Sequence, residues 1–369
     1  MKRVLLISLI TVATAMSARQ LQIVDVDNLP IAGVCVTNEK GALVGKTDND
    51  GLLKDTKDLD KLYFSHMAFQ NKCVKLDTLS TERIVLEDAD YNLGEIEVKP
   101  KELIYVQNYY RCTYVDEEGP VYFRAGVVDN TFEVATKKIS SKTRSISRAS
   151  IGLIRVVINA LAGRYLNNWA KIDTLTNYDR ILKYAKKGYL KISEPENGRS
   201  IISDSICTLG YVDVDLKTNQ RTLVFNRQKF RQHRHEAEEA AKIEKMKREG
   251  KKVKEKENKE DVDTDDDQYY EVYRIDDQGR SSVRDMIMTQ LMASGKLKRT
   301  KKDYIILIEV FPVAYDYIDK KDFKQTRKDN EVEMNIVELR QFEKNHNIPP
   351  LAPNLQEQVD KLFAKDLAK

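Results

Sequence analysis

The sequence predicts a mainly β protein with α+β character: an N-terminal antiparallel β-sandwich, then a domain built on an antiparallel sheet with helices. Three observations carry this. Between residues 21 and 98, short apolar, β-branched runs alternate with Asn, Asp, Gly and Pro turns and show no helical period. Beyond residue 103, longer runs pair off around turn signals, and a few segments repeat apolar residues every three or four positions. The composition, 41% apolar and 33% charged over 369 residues, excludes collagen-like, Cys-rich, wholly disordered and multi-span membrane classes. The net charge of +4 comes from 62 basic and 58 acidic residues, so no global nucleic-acid footprint is present.

The chain opens with Met1-Lys2-Arg3, an apolar run Val4–Met16 and Ser17-Ala18. A short cationic stretch, a dozen apolar residues and small residues form a secretory signal peptide over 1–18, cut between Ala15 and Arg19. The run is shorter than the roughly 20 residues that cross a bilayer core. An exported protein is expected, periplasmic, outer-membrane-associated or secreted, and soluble or peripherally held. Export exposes Cys35, Cys73, Cys112 and Cys207 to oxidation. Four cysteines allow three full pairings. The favoured bridge is Cys35–Cys73, which falls within one predicted domain.

Within 19–98, expected strands are Leu21–Val26, Ile31–Thr37, Ala42–Thr47, Leu62–Ser65, Lys72–Leu76 and Arg83–Leu86, separated by Asn28-Leu29-Pro30, Asn38–Gly41 and Asp48–Gly51. Leu29–Val34, then Gly45-x-Thr47-Asp48-x-x-Gly51, Leu62–Phe69, Ile84-Val85-Leu86 and Leu93–Val98 follow in an order that resembles the carboxypeptidase regulatory-like domain. Ala68 stands where that family's usual pattern has Gly. The resemblance implies a prealbumin-like sandwich and an accessory role. In exported Bacteroidetes proteins such modules often precede TonB-dependent receptors and other envelope proteins.

Residues 99–102 read as a linker. Leu103–Val115 and Val121–Val134 form an expected hairpin about Asp116–Pro120. Ile151, Ile154, Ile158, Leu161 and Tyr165 step as one amphipathic helix; Tyr178, Ile181, Leu182 and Ala185 as another. Val212–Leu216 turns at Lys217–Gln220 and returns through Thr222–Phe225. Tyr269–Ile275 and Arg280–Met286 form the next expected hairpin, and Tyr304–Ile318 a long strand with Pro312 at a bulge or an edge. Val332, Met334 and Ile336 alternate as a strand. Leu339 and Phe342 mark a short helix, and Leu355, Val359, Leu362 and Phe363 a terminal one beyond Pro349-Pro350. The general run of 103–369, including Tyr109-Tyr110-Arg111 and Gly126–Asp129, resembles uncharacterised exported companions of the regulatory-like domain. No activity follows from that. Residues 228–268 are too charged to bury a core and read as an insertion, a solvated helix fraying into disorder.

Catalytic signatures are sparse. Gly41–Thr47 has three residues between its glycines where a phosphate loop needs four, and a strand follows. Asp48–Gly51 lacks the closing Glu of a calcium loop, since Leu59 stands there, and reads as a turn. His233 and His235 lie two apart, a spacing that places them on different helix faces. His66 reads as a strand residue and His346 as a helix-end cation. No catalytic, cofactor-binding or metal-ligating residue is assigned. Lys137, Lys138, Lys142, Arg144 and Arg148 form a candidate anion-binding patch that suits lipid headgroups. Tyr105, Tyr109, Tyr110, Tyr114 and Tyr122 crowd one hairpin as expected core packing, and Asp213/Asp215 as a solvated strand face. The leading expectation is a non-enzymatic envelope protein that binds a partner protein or envelope component, without cofactor or nucleic acid. The alternatives are a periplasmic carrier of a lipid or other apolar ligand, and a hydrolase with a site scattered over 102–345.

Overall fold

The computed structural model describes residues 20–53, 59–79, 81–91, 102–150, 175–248, 263–281, 285–296, 302–321, 323 and 332–367. The expected leader, most of the linker, the 151–165 helix and the middle of the charged insertion lie outside them.

Seven short strands build the N-terminal module: β1 (Leu21–Val24), β2 (Cys35–Thr37), β3 (Leu43–Lys46), β4 (Leu52–Leu53), β5 (Lys61–His66), β6 (Phe69–Lys75) and β7 (Arg83–Val85). They form two sheets, β4-β1-β7 and β3-β2-β5-β6. All pairs are antiparallel except β1 with β7. Alternation does the work in β5: Leu62 and Phe64 point inward to Leu21, Ile23, Val36 and Ile84, while Lys61, Tyr63 and Ser65 stay half-buried. Thr47 locks the two sheets from inside, its hydroxyl donating to Ile31 O and accepting from Val34 N. Asp48 Oδ1 accepts from the amides of Asp50 and Leu52, which makes this segment the expected turn.

Eleven strands make the large sheet of the second region. In chain order they are β8 (Leu103–Asp116), β9 (Gly119–Glu133), β10 (Ile139–Ser150), β11 (Lys191–Ile192), β12 (Arg199–Ser203), β13 (Thr208–Asp215), β14 (Gln220–Asn226), β15 (Asp263–Arg274), β16 (Met286–Lys296), β17 (Asp303–Ile318) and β18 (Val332–Glu333). Four α-helices complete the described chain: α1 (Asn177–Lys186), α2 (Arg227–Arg248), α3 (Ile336–Asn345) and α4 (Pro353–Leu367). None is long and apolar enough to cross a membrane. The strand order is β11-β12-β13-β14-β15-β16-β17-β8-β9-β10-β18. A meander thus runs from β11 to β17, and β17 closes against β8 over nearly its whole length, from Tyr304↔Asp116 to Ile318↔Leu103. Pro312 lies inside this central pair and sits at a bulge between Pro312 and Ala314, which spares the ladder the missing N–H.

Both faces of the central strands are covered. One face carries Tyr109, Phe123, Val127, Tyr270, Met288 and Phe311, packed on Leu339 of α3, on Leu355, Val359 and Phe363 of α4, and on Ala32 and Met67 of the module. The opposite face buries Tyr110, Cys112, Tyr114, Tyr269, Leu291, Ile306, Ile308 and Val310. The crowded tyrosines are therefore largely core, as expected, with Tyr114 stacked on Tyr304 at 5.3 Å.

Arg111 interrupts the first of these faces. It is buried, yet every arm finds an acceptor. Nε and Nη2 hold Glu309 at 2.5 and 3.0 Å on the neighbouring strand, and Nη1 donates to Pro349 O at 2.7 Å. Glu343 of α3 lies 3.8 Å away, takes a hydrogen bond from Tyr109 Oη and pairs with Arg340. Burial opposes the charge, but the Glu309 and Glu343 carboxylates together outweigh it and hold the guanidinium above its ordinary pKa. One side chain thereby joins β8, β17, α3 and the loop before α4.

Several expectations are corrected. The strand after Asp276–Gly279 is Met286–Lys296, where the sequence pattern places Arg280–Met286: apart from Ile287 and Thr289 the run has no β-branched residue and carries Ala, Ser and Gly near its end, yet it is buried between two long partners. Ile336 starts α3 and does not extend the strand; Asn335 caps it, accepting from the amides of Val337 and Glu338. The charged insertion over 228–268 carries the expected helix, which starts at Arg227 and runs to Arg248, but its acidic end, Asp263–Asp267, belongs to β15, paired with β16. Cys35 and Cys73 are unbonded. Cys35 opposes Ser65 and Cys73 opposes Tyr63, with β5 between them. Two strand spacings, roughly 9–10 Å, exceed the about 7 Å Cα limit of a disulfide.

Truncating one partner of a buried pair strands the other charge. Arg111→Ala should cost about 3–5 kcal/mol in urea unfolding. The double variant Arg111→Met/Glu309→Met should recover most of that loss. A loss under about 1 kcal/mol, as exposed pairs give, would contradict the assignment.

Candidate functional site

The module sits on the large sheet through polar contacts that each bridge sequence-distant residues. Gly33 has φ +74°, a conformation that favours glycine, and its bare Cα leaves room for the Gln268 amide of β15, whose Oε1 would lie 2.8 Å from a Cβ there. Gln290 accepts from Met67 N and donates to Gly33 O; Gln268 donates to Asn49; Tyr91 Oη donates to Pro312 O at 2.6 Å. Lys46, the lysine of the phosphate-loop look-alike, pairs with Asp266 at 2.5 Å. From α4, Asn354 donates to Thr37 Oγ1 and Asn38 O.

Where β12–β14 run beyond this contact, a cleft of about 440 Å³ opens between module and sheet. The module supplies Asp25, Asp27, Phe69, Asp88 and Tyr91; the sheet supplies Arg199, Tyr211, Asp213, Asp215 and Tyr270. Arg199 is committed: it holds Asp213 through two 2.7 Å bonds and stacks its guanidinium 3.7 Å over the Tyr211 ring. Asp25 is spent on the amides of Asp27 and Leu29. Asp27 and Asp88 have no cationic partner among the described residues. Burial raises the pKa of Asp88, and the charges of Asp27 and Asp215 push it further; Asp25 is raised chiefly by burial. The cleft therefore holds five carboxylates against one paired arginine, on aromatic walls. Asp213 and Asp215 line this cleft, where a merely solvated strand face was expected.

His66 lies behind it. Its ring meets Tyr270 edge-on at 4.4 Å, Nδ1 accepts from Ala68 N, and Nε2 finds no hydrogen-bond partner among the described residues. Burial drives its pKa down to about 3.

The other candidate residues scatter. Lys137 and Lys138 occupy the β9–β10 turn, while Arg144 pairs with buried Asp129, which also binds Tyr105 and Gln107; Arg148 is exposed farther along β10. The basic residues thus do not form one free cationic surface. Cys112 is buried, with its thiol pushed up to about 12, which disfavours a nucleophile. His346 caps α3 and stacks on Phe342 at 4.1 Å. A grouping absent from the sequence reading joins Asp204 and Cys207, in the turn between β12 and β13, to His233 of α2; one ligand atom from each lies within 4.8 Å of the others. The available signal was the Asp-x-x-Cys spacing of the turn, but His233 arrives only by folding.

Comparisons with known proteins leave the chain unplaced. No family model matches it, and no curated protein matches. Among solved structures, the crystal structure of acetoacetate decarboxylase from Legionella pneumophila aligns with 7% identity and a TM-score of 0.10, over 57% of this chain and 83% of that one. That similarity is too low to bear on fold or activity.

His66 titrates near 6.5 when unfolded and near 3 when folded. The unfolded chain then binds the extra proton, so stability is full above about pH 6.5 and falls as pH drops toward 3. His66→Phe should flatten the stability–pH curve between pH 6.5 and 4 by up to about 1.4 kcal/mol per unit. Parallel curves for the two proteins, measured by denaturant unfolding, would contradict this.

Proposed function

We propose that this is an exported cell-envelope protein that binds a partner protein, with the cleft between its module and its sheet as the recognition site. The occupant we infer is a cationic side chain, Lys or Arg, presented by the partner's polypeptide. The observation that carries the reading is the cleft itself: Asp27 and Asp88, without cationic partners among the described residues, face Asp215 across an opening walled by Tyr91, Tyr211 and Tyr270. A cation relieves carboxylate repulsion and gains from aromatic faces. The placement fits the general preference of binding sites for joints between units. The resemblance of residues 21–98 to an accessory module and the leader expected over 1–18 support a role in recognition at the envelope. The reading is non-enzymatic: the described residues of the cleft include aspartates and tyrosines but no nucleophile paired with a base.

The test uses short peptides bearing Lys or Arg, with Gln-substituted controls, titrated into the full chain by calorimetry. Cationic peptides should bind, and Asp27→Asn/Asp88→Asn should weaken them about tenfold, a change of about 1.4 kcal/mol. Added salt should weaken binding to the native protein more than to the variant. Equal binding of the Gln controls, or no effect of the double variant, would overturn the assignment of the cleft. Recovery of the expressed protein from the cell interior with Met1 retained would overturn the export reading separately.

A further inference from the structure

The geometry points to a second site, independent of the cleft: a divalent-cation site of zinc type formed by Asp204, Cys207 and His233. The tight turn between β12 and β13 prepares two of the donors. Asp204 N donates to Cys207 O, and Asp204 Oδ1 accepts the amides of Ile206 and Cys207 at 2.8 and 2.9 Å. With Oδ1 used by the backbone, Oδ2 is left facing outward, 2.6 Å from His233 Nδ1. The third donor comes from α2, where Phe230 and His233, three apart, share the face turned to the sheet. Phe230 fixes that face, buried against Tyr184 and Phe225 with ring centroids at 4.9 and 5.9 Å.

The donor set is sulfur, nitrogen and oxygen, the combination that suits zinc, and a thiolate with a carboxylate would neutralise a divalent ion. Three protein ligands leave a fourth tetrahedral position for water. The convergence also separates this site from a catalytic relay. In a relay the carboxylate and the nucleophile sit on opposite nitrogens of the imidazole. Here the three ligand atoms are all within 4.8 Å of one another, as donors around one ion must be. The Asp204–His233 pair is held by a proton in the metal-free form. The ion takes the proton's place, and the pair opens to about 3.3 Å, the spacing of two ligands roughly 2.05 Å from a tetrahedral centre. Cys207 loses its thiol proton to solvent as the Zn–S bond forms, so binding releases protons. A bound ion would clip the second turn of the charged helix α2 to the rim of the sheet.

The test is cobalt substitution in the reduced, chelator-treated full chain. Co²⁺ should bind at one ion per chain, with a thiolate-to-cobalt charge-transfer band in the near ultraviolet and tetrahedral visible bands, all displaced by Zn²⁺. Cys207→Ser should abolish the charge-transfer band, His233→Ala should abolish stoichiometric binding, and Cys73→Ser, at an exposed cysteine elsewhere, should change neither. A missing band in the native chain, its survival in Cys207→Ser or its loss in Cys73→Ser would overturn the site. Alkylation of the native chain gives a readout that requires no folded variant. Zn²⁺ should protect Cys207 and leave Cys73 reacting at an unchanged rate; equal rates at Cys207 with and without Zn²⁺ would overturn the proposal.

Discussion

A guanidinium buried in the middle of a sheet must find its acceptors inside the protein, and Arg111 finds them on two separate segments, with the Glu343 carboxylate of a third 3.8 Å away. Glu309 can reach both Nε and Nη2 only if β17 lies directly beside β8 in one register, with Glu309 opposite Arg111. That register closes the meander onto the first hairpin. Pro349 O and Glu343 then fix the α3–α4 connection above the same spot. The surrounding apolar residues supply most of the driving force, but they tolerate sliding. The ion pair is the part that does not, because a slip of one residue strands two charges in a dry interior.

The same logic governs the seating of the module. Gln268, Gln290 and Tyr91 are buried polar groups whose partners lie across the joint. Gly33 lets the module backbone come close enough to meet them. Apolar contacts reinforce the joint, with Cys35 against Met292, Ile305 and Leu307. The cleft is the consequence of a short module on a longer sheet: beyond the contact, β12–β14 continue alone and their aspartates face those of the module's turns.

The sequence reveals more of the fold than of the sites. Turns at Asp116–Pro120 and Lys217–Gln220, the period of Tyr178–Ala185 and the Pro349-Pro350 break all mark true boundaries, because local chemistry sets them. It misreads Met286–Lys296, where tertiary burial overrides a weak strand propensity, and it assigns no strand to the Ser-rich, basic Ile139–Ser150, held between β9 and β18. The cleft is invisible for a different reason. Asp27, Asp88 and Asp215 come from three separate turns or strand ends, each locally an ordinary polar position, and only the docking of module on sheet gathers them. His233 is similar: its sequence neighbour His235 is exposed, while its spatial neighbours lie 26 and 29 residues earlier.

The account stands on the claim that module and sheet fold as one cooperative body through their buried polar joint. Calorimetric unfolding of the full chain, read together with hydrogen exchange on β1–β7 and β8–β17, tests this most directly. A single transition, with strand amides of both units exchanging at a common free energy, is the predicted result. Two separate transitions, with the β1–β7 amides opening well before those of β8 and β17, would contradict it.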